Sequence, residues 1–301
     1  MTEVNLAKSA RRLAMGLTIT GFVLLGQTSF ATPPGSTPFG VYDPGGEFID
    51  DSQVQIEHLF LPWEDVALDS LYDADEYASD RGRSLLVTIE PWTWTRDARN
   101  TPEFLINGIQ TGAYDKNMRS ICTILNDLKS PITVRWAQEM EEKKGQFIWS
   151  NWEPTVYINA YKRVIDVCRS EAPDIKVMWS PLGNADAENY YPGDDYVDTI
   201  GLSVFGLQAY DEFTTGKEQS FQDIFGQRYA NVEKFCKPII VAELGFVGDA
   251  SYVQNWQNSV GQNYAEYQYL KGIVYFNQKE VHPWPGNFGK PDWRISKRVV
   301  E

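Results

Sequence analysis

The sequence has few of the residues on which several common kinds of functional site depend. Its 301 residues include only two histidines, His58 and His282, which lie far apart along the chain. Histidine-rich metal sites and most Ser-His-Asp triads are therefore disfavoured. Neither standard glycine-rich phosphate-binding pattern occurs. We therefore expect a protein that works without a metal ion and without a cofactor.

Cysteine is also scarce. The three cysteines, Cys122, Cys168 and Cys236, are too few and too widely spaced for a disulfide scaffold or a compact metal site. All three fall in helix-like segments or at their ends, where cysteine commonly serves as a small buried apolar residue. One bridge with one free thiol is the alternative, and the sequence does not identify the pair.

Basic residues are outnumbered by acidic ones. The chain has 27 Lys and Arg against 41 Asp and Glu, a formal net charge of -14 and a pI near 4.7. Such a balance disfavours nucleic acid and anionic membrane surfaces as partners. Acidic polysaccharides are disfavoured for the same reason, whereas neutral polymers remain open.

The longest apolar run lies near the N-terminus and resembles a signal peptide. Lys8, Arg11 and Arg12 precede an apolar stretch at residues 13–26, and Ser29 and Ala31 are small residues suited to cleavage after Ala31. An uncleaved membrane anchor is the alternative, but the run is short for a span. We expect a signal peptide at residues 1–31, a short linker at 32–38 and a secreted or periplasmic mature protein without a membrane segment.

After residue 38, strand-like and helix-like segments alternate to the end of the chain. Strands are predicted at residues 39–42, 55–61, 84–89, 132–136, 176–179, 197–204, 238–242 and 272–276. Helices are predicted at residues 66–79, 116–128, 156–169, 221–235 and 252–267. Eight such units predict an α/β fold, a single-domain (β/α)8 TIM barrel over residues 39–301. The connections 44–54 and 183–196 are expected to lack a full outer helix.

Two glutamates close apolar strands of this predicted barrel. Glu139 follows the strand at 132–136, and Glu243 follows the strand at 238–242. A carboxylate is costly to hold at such a position unless it is hydrogen-bonded, paired or functional. Strands four and seven face each other across the mouth of a TIM barrel, where its active sites lie. The pair therefore predicts acid/base and nucleophilic chemistry on a glycosidic bond.

The surroundings suggest a role for each carboxyl group. Gln138 precedes Glu139, and an amide at that position can hydrogen-bond a sugar hydroxyl in the transition state, so we assign Glu139 as the acid/base. Glu243 is assigned as the nucleophile. A structural ion pair, with Arg135, Lys237 or Arg163 as partner, is the alternative for either glutamate.

Tryptophan is abundant where the cleft is expected. The C–H face of a pyranose packs on an indole ring, so tryptophans near the strand ends are candidate substrate contacts. These candidates are Trp63, Trp92, Trp94, Trp149, Trp152, Trp179 and Trp284. Trp136, inside a strand, and Trp256, in a helix, are instead expected in the core.

Several motifs together resemble glycoside hydrolase family 26. They lie at residues 134–140, 191–203 and 237–245, with further likeness at 86–92, at Phe276 and Asn277, and at 292–295. The resemblance runs from about residue 39 to residue 295, in family order. It implies a (β/α)8 barrel of clan A, a retaining mechanism, Glu139 as acid/base and Glu243 as nucleophile.

Two departures from this family's mannanases bear on the substrate. Gln138 stands where the mannanases typically have histidine, and Phe205 stands where a tyrosine usually lies near the nucleophile. Tyr210 or Tyr42 would have to replace that tyrosine. The segment from Glu90 to Trp92 is similar to β-glucan-acting members.

We therefore expect a secreted, monomeric, retaining endo-β-glycanase that acts on a neutral polysaccharide. A β-1,4 or mixed-linkage β-glucan is the expected substrate, with Phe205 and Tyr210 among the substrate contacts. An endo-β-1,4-mannanase and a non-catalytic polysaccharide-binding barrel are the alternatives.

Overall fold

The computed structural model describes residues 32–33, 35–64, 66–93 and 100–300. Eight parallel strands close into a barrel in which each pairs with its sequence neighbours and β8 returns to β1. The strands are β1 (Phe39–Tyr42), β2 (Val54–Pro62), β3 (Ser84–Glu90), β4 (Ile132–Trp136), β5 (Lys176–Trp179), β6 (Thr199–Leu207), β7 (Ile239–Val247) and β8 (Leu270–Phe276). The predicted (β/α)8 fold is confirmed.

The outer layer consists of helices that follow the strands. They are α1 (Ser70–Ser79), α2 (Pro102–Thr111), α3 (Asp115–Asp127), α4 (Pro154–Glu171), α5 (Gln208–Thr215), α6 (Phe221–Val232) and α7 (Ala250–Val260). As expected from sequence, no α-helix separates β1 from β2, and two short 3-10 turns replace the helix between β5 and β6. None of the helices within the described segments has the length and apolar character that crossing a bilayer requires.

Two helices were not among those predicted, and the predicted helices at 66–79 and 252–267 are too long. The α2 helix begins at Pro102, and the Thr101 hydroxyl caps it by accepting from the Phe104 N–H. The α5 helix has eight residues and buries only Asp211, so it shows no apolar stripe. The α7 helix ends at Val260, before Gly261, rather than at residue 267, because glycine is a poor helix former.

Cys122 on α3 and Cys168 on α4 form a disulfide bond, and Cys236 is an exposed free thiol. The bridge joins two outer helices that pack side by side. The expectation of three unbridged, buried cysteines is therefore wrong, and the alternative of one bridge and one free thiol is confirmed, with the pair now identified.

The barrel interior is layered. Near the amino ends of the strands, an apolar layer is formed by Leu86, Met178, Ala242 and Val274. Two residues further along β3 and just beyond β5, the polar residues Thr88 and Ser180 are completely buried. Arg135 from β4 lies between them and hydrogen-bonds to both. A polar layer therefore supports the open, carboxyl-terminal mouth of the barrel.

Candidate active site

An open cleft of about 1050 Å³ lies at the carboxyl ends of the strands. Both predicted catalytic glutamates line it. Five of the predicted substrate contacts line it too: Trp92, Gln138, Phe205, Tyr210 and Trp284. This is the mouth at which TIM-barrel active sites are built.

Glu139 enters the cleft from an irregular turn directly after β4. Its φ is 58°, and that of Ala137 is 49°, a left-handed backbone conformation that non-glycine residues seldom adopt. The Glu139 N–H donates to the Ser180 carbonyl at 2.8 Å, which ties the turn to the end of β5. Strained backbone of this kind recurs at functional sites because the surrounding structure holds it in place.

Glu243 reaches the cleft because β7 contains a β-bulge. Against β6, Leu202 pairs with Val241 but Ser203 pairs with Glu243, so Ala242 is an extra residue. Ala242 belongs to the apolar interior layer, yet Glu243 also points inward and lines the cleft. Strict alternation along the strand would have turned Glu243 towards the outer helices. A bulge that re-aims a side chain in this way is typical of active sites.

Arg135 binds Glu243 from below the cleft. Its Nη1 donates to Glu243 Oε1 at 2.6 Å, and its Nε donates to the Ser180 hydroxyl at 2.8 Å. From the sequence, Arg135 was expected only as a possible partner in a structural ion pair. Its signal was a guanidinium inside an otherwise apolar strand, a position that requires a buried partner.

The two carboxyl groups have different electrostatic surroundings. Burial and the charge of Glu243 raise the pKa of Glu139 to about 7, against the opposing effects of Ser203, Arg135 and Arg228. Burial also raises the pKa of Glu243, but the charge and hydrogen bond of Arg135 oppose that rise directly. The arrangement favours a protonated Glu139 beside an ionised Glu243, which is the division of roles that an acid and a nucleophile need.

Glu90, at the end of β3, is a third carboxyl group in the cleft and was not predicted as a site residue. Gln138 Nε2 donates to one of its oxygens at 2.8 Å, and Trp92 Nε1 donates to the other at 3.0 Å. Burial raises the pKa of Glu90, while these two hydrogen bonds lower it. The signal in the sequence was its position, because Glu90 follows the apolar run at 84–89 as Glu243 follows the apolar run at 238–242.

Phe205 takes no part in hydrogen bonding at the cleft. Its ring packs on Trp293 at 4.9 Å and on Phe276 at 6.0 Å. Of the two tyrosines expected to compensate, Tyr210 contacts Lys144, whose Nζ lies 3.4 Å from its hydroxyl. Tyr42 lies instead on the side of the cleft where the carboxylates are. Burial and the charges of Glu90 and Glu243 raise its pKa.

Four tryptophans predicted as candidate substrate contacts, Trp63, Trp149, Trp152 and Trp179, do not line the cleft. Trp149, Trp152 and Trp179 are buried, at 0%, 5% and 0% exposure. Trp149 donates to the Gln138 carbonyl and stacks on Phe147, so it supports the cleft from behind.

The other two are also held in the protein interior. Trp152 donates to the Ile148 carbonyl, and Trp179 packs against Tyr191 and Phe235. Trp179 ends β5, whereas Trp149 and Trp152 lie in the loop between β4 and α4. The sequence does not show which way such residues turn, which explains the error.

Three further tryptophans lie in the core. Trp63 is also buried and stacks on Tyr114 at 4.5 Å. Trp136 and Trp256 lie in the core, as expected. Trp94 lies outside the described residues.

Within the parts of the chain that the structure describes, no group of three or more His, Cys, Asp or Glu side chains is arranged to hold a metal ion.

Comparison with solved structures gives matches to (β/α)8 glycoside hydrolases. The catalytic domain of an endo-β-1,4-mannanase from Bacillus sp. JAMB-750 matches with a TM-score of 0.54 at 16% identity, over 74% of this chain and 63% of that chain. A β-(1,4)-mannanase from Podospora anserina matches with a TM-score of 0.54 at 12% identity, over 89% of this chain and 60% of that chain. At these identities the likeness concerns the fold.

Sequence comparison with curated proteins gives relatives that are longer than this chain. Endoglucanase H of Acetivibrio thermocellus is 24% identical over 264 residues, which is 81% of this chain and 26% of that protein. A β-1,3-xylanase of Alcaligenes sp. is 28% identical over 110 residues, which is 34% of this chain and 22% of that protein. The chain thus spans about a quarter of the length of these relatives.

The family comparison covers the cleft itself. The family model described as glycosyl hydrolase family 26 matches residues 89–278, which is more than half of the chain. The matched segment begins at the end of β3 and ends just beyond β8, so it contains Glu90, Arg135, Glu139 and Glu243. This chain belongs to glycosyl hydrolase family 26.

Proposed function

We propose that this protein is a retaining endo-β-glycanase that hydrolyses β-linked bonds within a neutral polysaccharide. The observation that carries the proposal is the pairing of Glu139 and Glu243 in one cleft. The pKa of Glu139 is raised to about 7, while Arg135 neutralises the charge of Glu243. Glycoside hydrolysis requires two carboxyl groups whose surroundings separate their protonation states, and the retaining mechanism is typical of the family to which this chain belongs.

The first step forms a glycosyl-enzyme intermediate. A Glu243 carboxylate oxygen attacks the anomeric carbon while the bond from that carbon to the leaving oxygen breaks, and Glu139 gives its proton to this oxygen. The leaving part of the polymer departs with a new hydroxyl group. Arg135 keeps Glu243 oriented and ionised before the attack.

The second step releases the sugar. Glu139, now ionised, takes a proton from a water molecule whose oxygen bonds to the anomeric carbon, and the ester bond to Glu243 breaks. Two displacements at the same carbon retain the β configuration. Glu139 is protonated again and Glu243 is again a carboxylate, so the cycle closes without a metal or cofactor.

A β-glucan is the substrate that we propose. In this chain Gln138 donates a hydrogen bond to Glu90, and a relative that aligns with most of the chain is named an endoglucanase. Trp92, Tyr210 and Trp284 are partly exposed in the cleft and offer ring faces to pyranose units. The open shape of the cleft suits attack within a chain.

We also propose that the protein is exported and acts as a monomer. The charged and apolar pattern of residues 1–31 supports export, and so does the Cys122–Cys168 bridge, because disulfides persist in oxidising compartments. Secretion would place the cleft where polysaccharide occurs. Detection of a mature N-terminus at Thr32 by mass spectrometry of the exported protein tests this directly.

The experiment measures reducing-end release from mixed-linkage β-glucan, carboxymethylcellulose, β-mannan and β-1,3-xylan. Wild type is compared with Glu139→Gln and Glu243→Gln, and Glu171→Gln on the outer helix α4 serves as a matched control. We expect activity on the glucans in wild type and control, and losses of 10³-fold or more in both cleft variants on the order seen for catalytic groups. Near-normal turnover in either cleft variant would contradict the assignment. Preference for β-mannan would identify the mannanase alternative.

A non-catalytic polysaccharide-binding barrel is the second candidate. It is favoured by Phe205 and Gln138, which replace hydrogen-bonding residues typical of the family's mannanases. That candidate predicts oligosaccharide binding by wild type without reducing-end release at any pH from 4 to 9.

A further inference from the structure

Arg228 is a cleft residue to which the chemistry above assigns no role. It lies on α6, is partly buried, and lines the cleft with Glu139. It makes no hydrogen bond and no ion pair with any part of the chain that the structure describes. A guanidinium carries five N–H donors and no acceptor, so these donors are left facing the cleft, where the oxygens of a ligand can accept from them.

The backbone around Arg228 is built to place it there. Gly183, just beyond β5, has a φ of 84°, and a Cβ at that position would lie 2.8 Å from Arg228 Cβ and 3.2 Å from Arg228 Cα. Helix α6 can therefore approach the loop after β5 only because residue 183 is glycine. The Gly183 carbonyl accepts from Asn231 Nδ2 at 2.9 Å, and its N–H donates to Glu141 Oε1 at 2.8 Å.

The position of Arg228 relates it to the acid/base rather than to the nucleophile. Arg228 and Glu141 interact electrostatically, and Arg228 also acts on Glu139. Glu243 is influenced instead by Glu280 and Glu90, which lie on the β8 and β3 side of the cleft. Since the acid/base protonates the leaving oxygen, the side of the cleft beyond Glu139 receives the leaving part of the polymer.

We propose that Arg228 binds the leaving-group sugar of a neutral polysaccharide by donating hydrogen bonds from its guanidinium to sugar hydroxyl or ring oxygens. This inference rests on the proposed function and identifies the residue that reads the aglycone side of the cleft. Glu141 beside it makes the site unfavourable for a uronic acid, because like charges would meet there. A neutral sugar provides acceptor oxygens without that repulsion.

The test compares two substrates that share the glycone and differ in the leaving group. One is the preferred oligosaccharide, with sugars on both sides of the scissile bond, and the other is its 4-nitrophenyl glycoside, with no leaving-group sugar. For Arg228→Met we expect kcat/KM to fall about tenfold to a hundredfold on the oligosaccharide, mainly through KM, and less than about twofold on the aryl glycoside. Arg119→Met, which removes an exposed arginine from α3, is the control and should change neither.

Each other outcome overturns the inference. Equal losses on both substrates, together with a lower Tm, would mean that Arg228 only supports Glu139 and the loop. An unchanged KM on the oligosaccharide would mean that Arg228 does not touch the sugar.

Failure of the proposed function would look different, because wild type itself would release no reducing ends. Calorimetry with the same oligosaccharide then decides, and equal affinity of wild type and Arg228→Met would again overturn the assignment.

Discussion

Arg135 and Glu243 meet across the interior of the barrel, with Nη1 of the arginine 2.6 Å from Oε1 of the glutamate. Arg135 is completely buried, and the side chain of Glu243 is 10% exposed. Neither charge would be tolerated alone at these positions, since an uncompensated buried charge is strongly destabilising. The contact therefore links the stability of the barrel to the ionisation of the proposed nucleophile.

Replacing Arg135 with methionine should damage both activity and stability. Removal of the guanidinium raises the pKa of Glu243, because Arg135 is what opposes the effect of burial. Activity requires ionised Glu243, so the acidic limb of the kcat/KM profile should move to higher pH. The free energy of unfolding at pH 7 should fall by about 3–5 kcal/mol, as for other broken buried pairs.

Arg135→Lys is the informative comparison. It keeps the charge but loses the planar fork that also reaches the Ser180 hydroxyl. We expect an acidic limb close to that of wild type but a lower kcat. An acidic limb that stays in place in Arg135→Met would show that Glu243 does not depend on this contact.

The alkaline limb should report Glu139. Its pKa of about 7 predicts that kcat/KM falls above neutral pH as the acid loses its proton. The charge of Glu243 contributes to the rise, so Glu243→Gln should lower the pKa of Glu139. Burial is the larger cause, so the value should stay above 4.5. Carboxyl-carbon NMR titration measures it, and no change in Glu243→Gln would contradict coupling of the two groups.

Glu139 should also reduce stability at alkaline pH. Its pKa in the folded protein is raised above the unfolded value of 4.5. The folded state therefore binds this proton more tightly, and its contribution to stability is present below pH 4.5 and lost as pH rises through about 7. Glu139→Gln should have a higher Tm than wild type at pH 8, and the difference should shrink towards pH 4. Equal Tm values at pH 8 would contradict the buried setting of the group.

Tyr42 should matter more for chemistry than Tyr210. Burial and the charges of Glu90 and Glu243 raise the pKa of Tyr42. Its hydroxyl makes no hydrogen bond to the described chain, so it is available to the substrate or the nucleophile. We expect Tyr42→Phe to lower kcat about tenfold, the effect of one lost hydrogen bond. Tyr210→Phe should change kcat less than twofold. A reversed order would assign the compensating role to Tyr210.

The tryptophans should separate into a binding group and a structural group. Trp284→Ala should raise KM for the polymer, because Trp284 is partly exposed in the cleft. Trp179→Phe should lower Tm without changing KM, because Trp179 is buried and packs against Tyr191 and Phe235. A KM effect in Trp179→Phe, measured with substrate saturation curves at 25 °C, would show that the cleft extends further than the structure indicates.

The fold was predictable from sequence because each strand is a short apolar run followed by a connection of suitable length. Three strands have the predicted bounds. The largest deviations are at the carboxyl-terminal ends of β6 and β7, which extend beyond the predicted ends at residues 204 and 242. Parallel strands buried on both sides give continuous hydrophobic segments, which are easy to locate. Helix α5 escaped prediction because it packs weakly and has no apolar face to detect.

The placement of the cleft residues was only partly predictable. That Glu139 and Glu243 would line one cleft followed from their strand numbers. The β7 bulge, by which Glu243 faces inward one residue after Ala242, could not be seen in the sequence. The same limit explains Trp63 and Trp179, since whether a strand-end residue turns inward or outward depends on local register. Trp149 and Trp152 lie instead in the loop between β4 and α4, whose path the sequence does not show.

The sequence by itself determined the barrel, the location of Glu139 and Glu243 on strands that face each other across the barrel, and the family motifs. These features depend on local hydrophobic pattern and on residue identity. Only the tertiary structure decided which groups surround those carboxyl groups. The pairing of Arg135 with Glu243, the hydrogen bond from Gln138 to Glu90, and the approach of Arg228 to Glu139 all join residues from different βα units. Their electrostatic effects depend on distances of a few ångströms and on exclusion of water, which closure of the barrel alone produces.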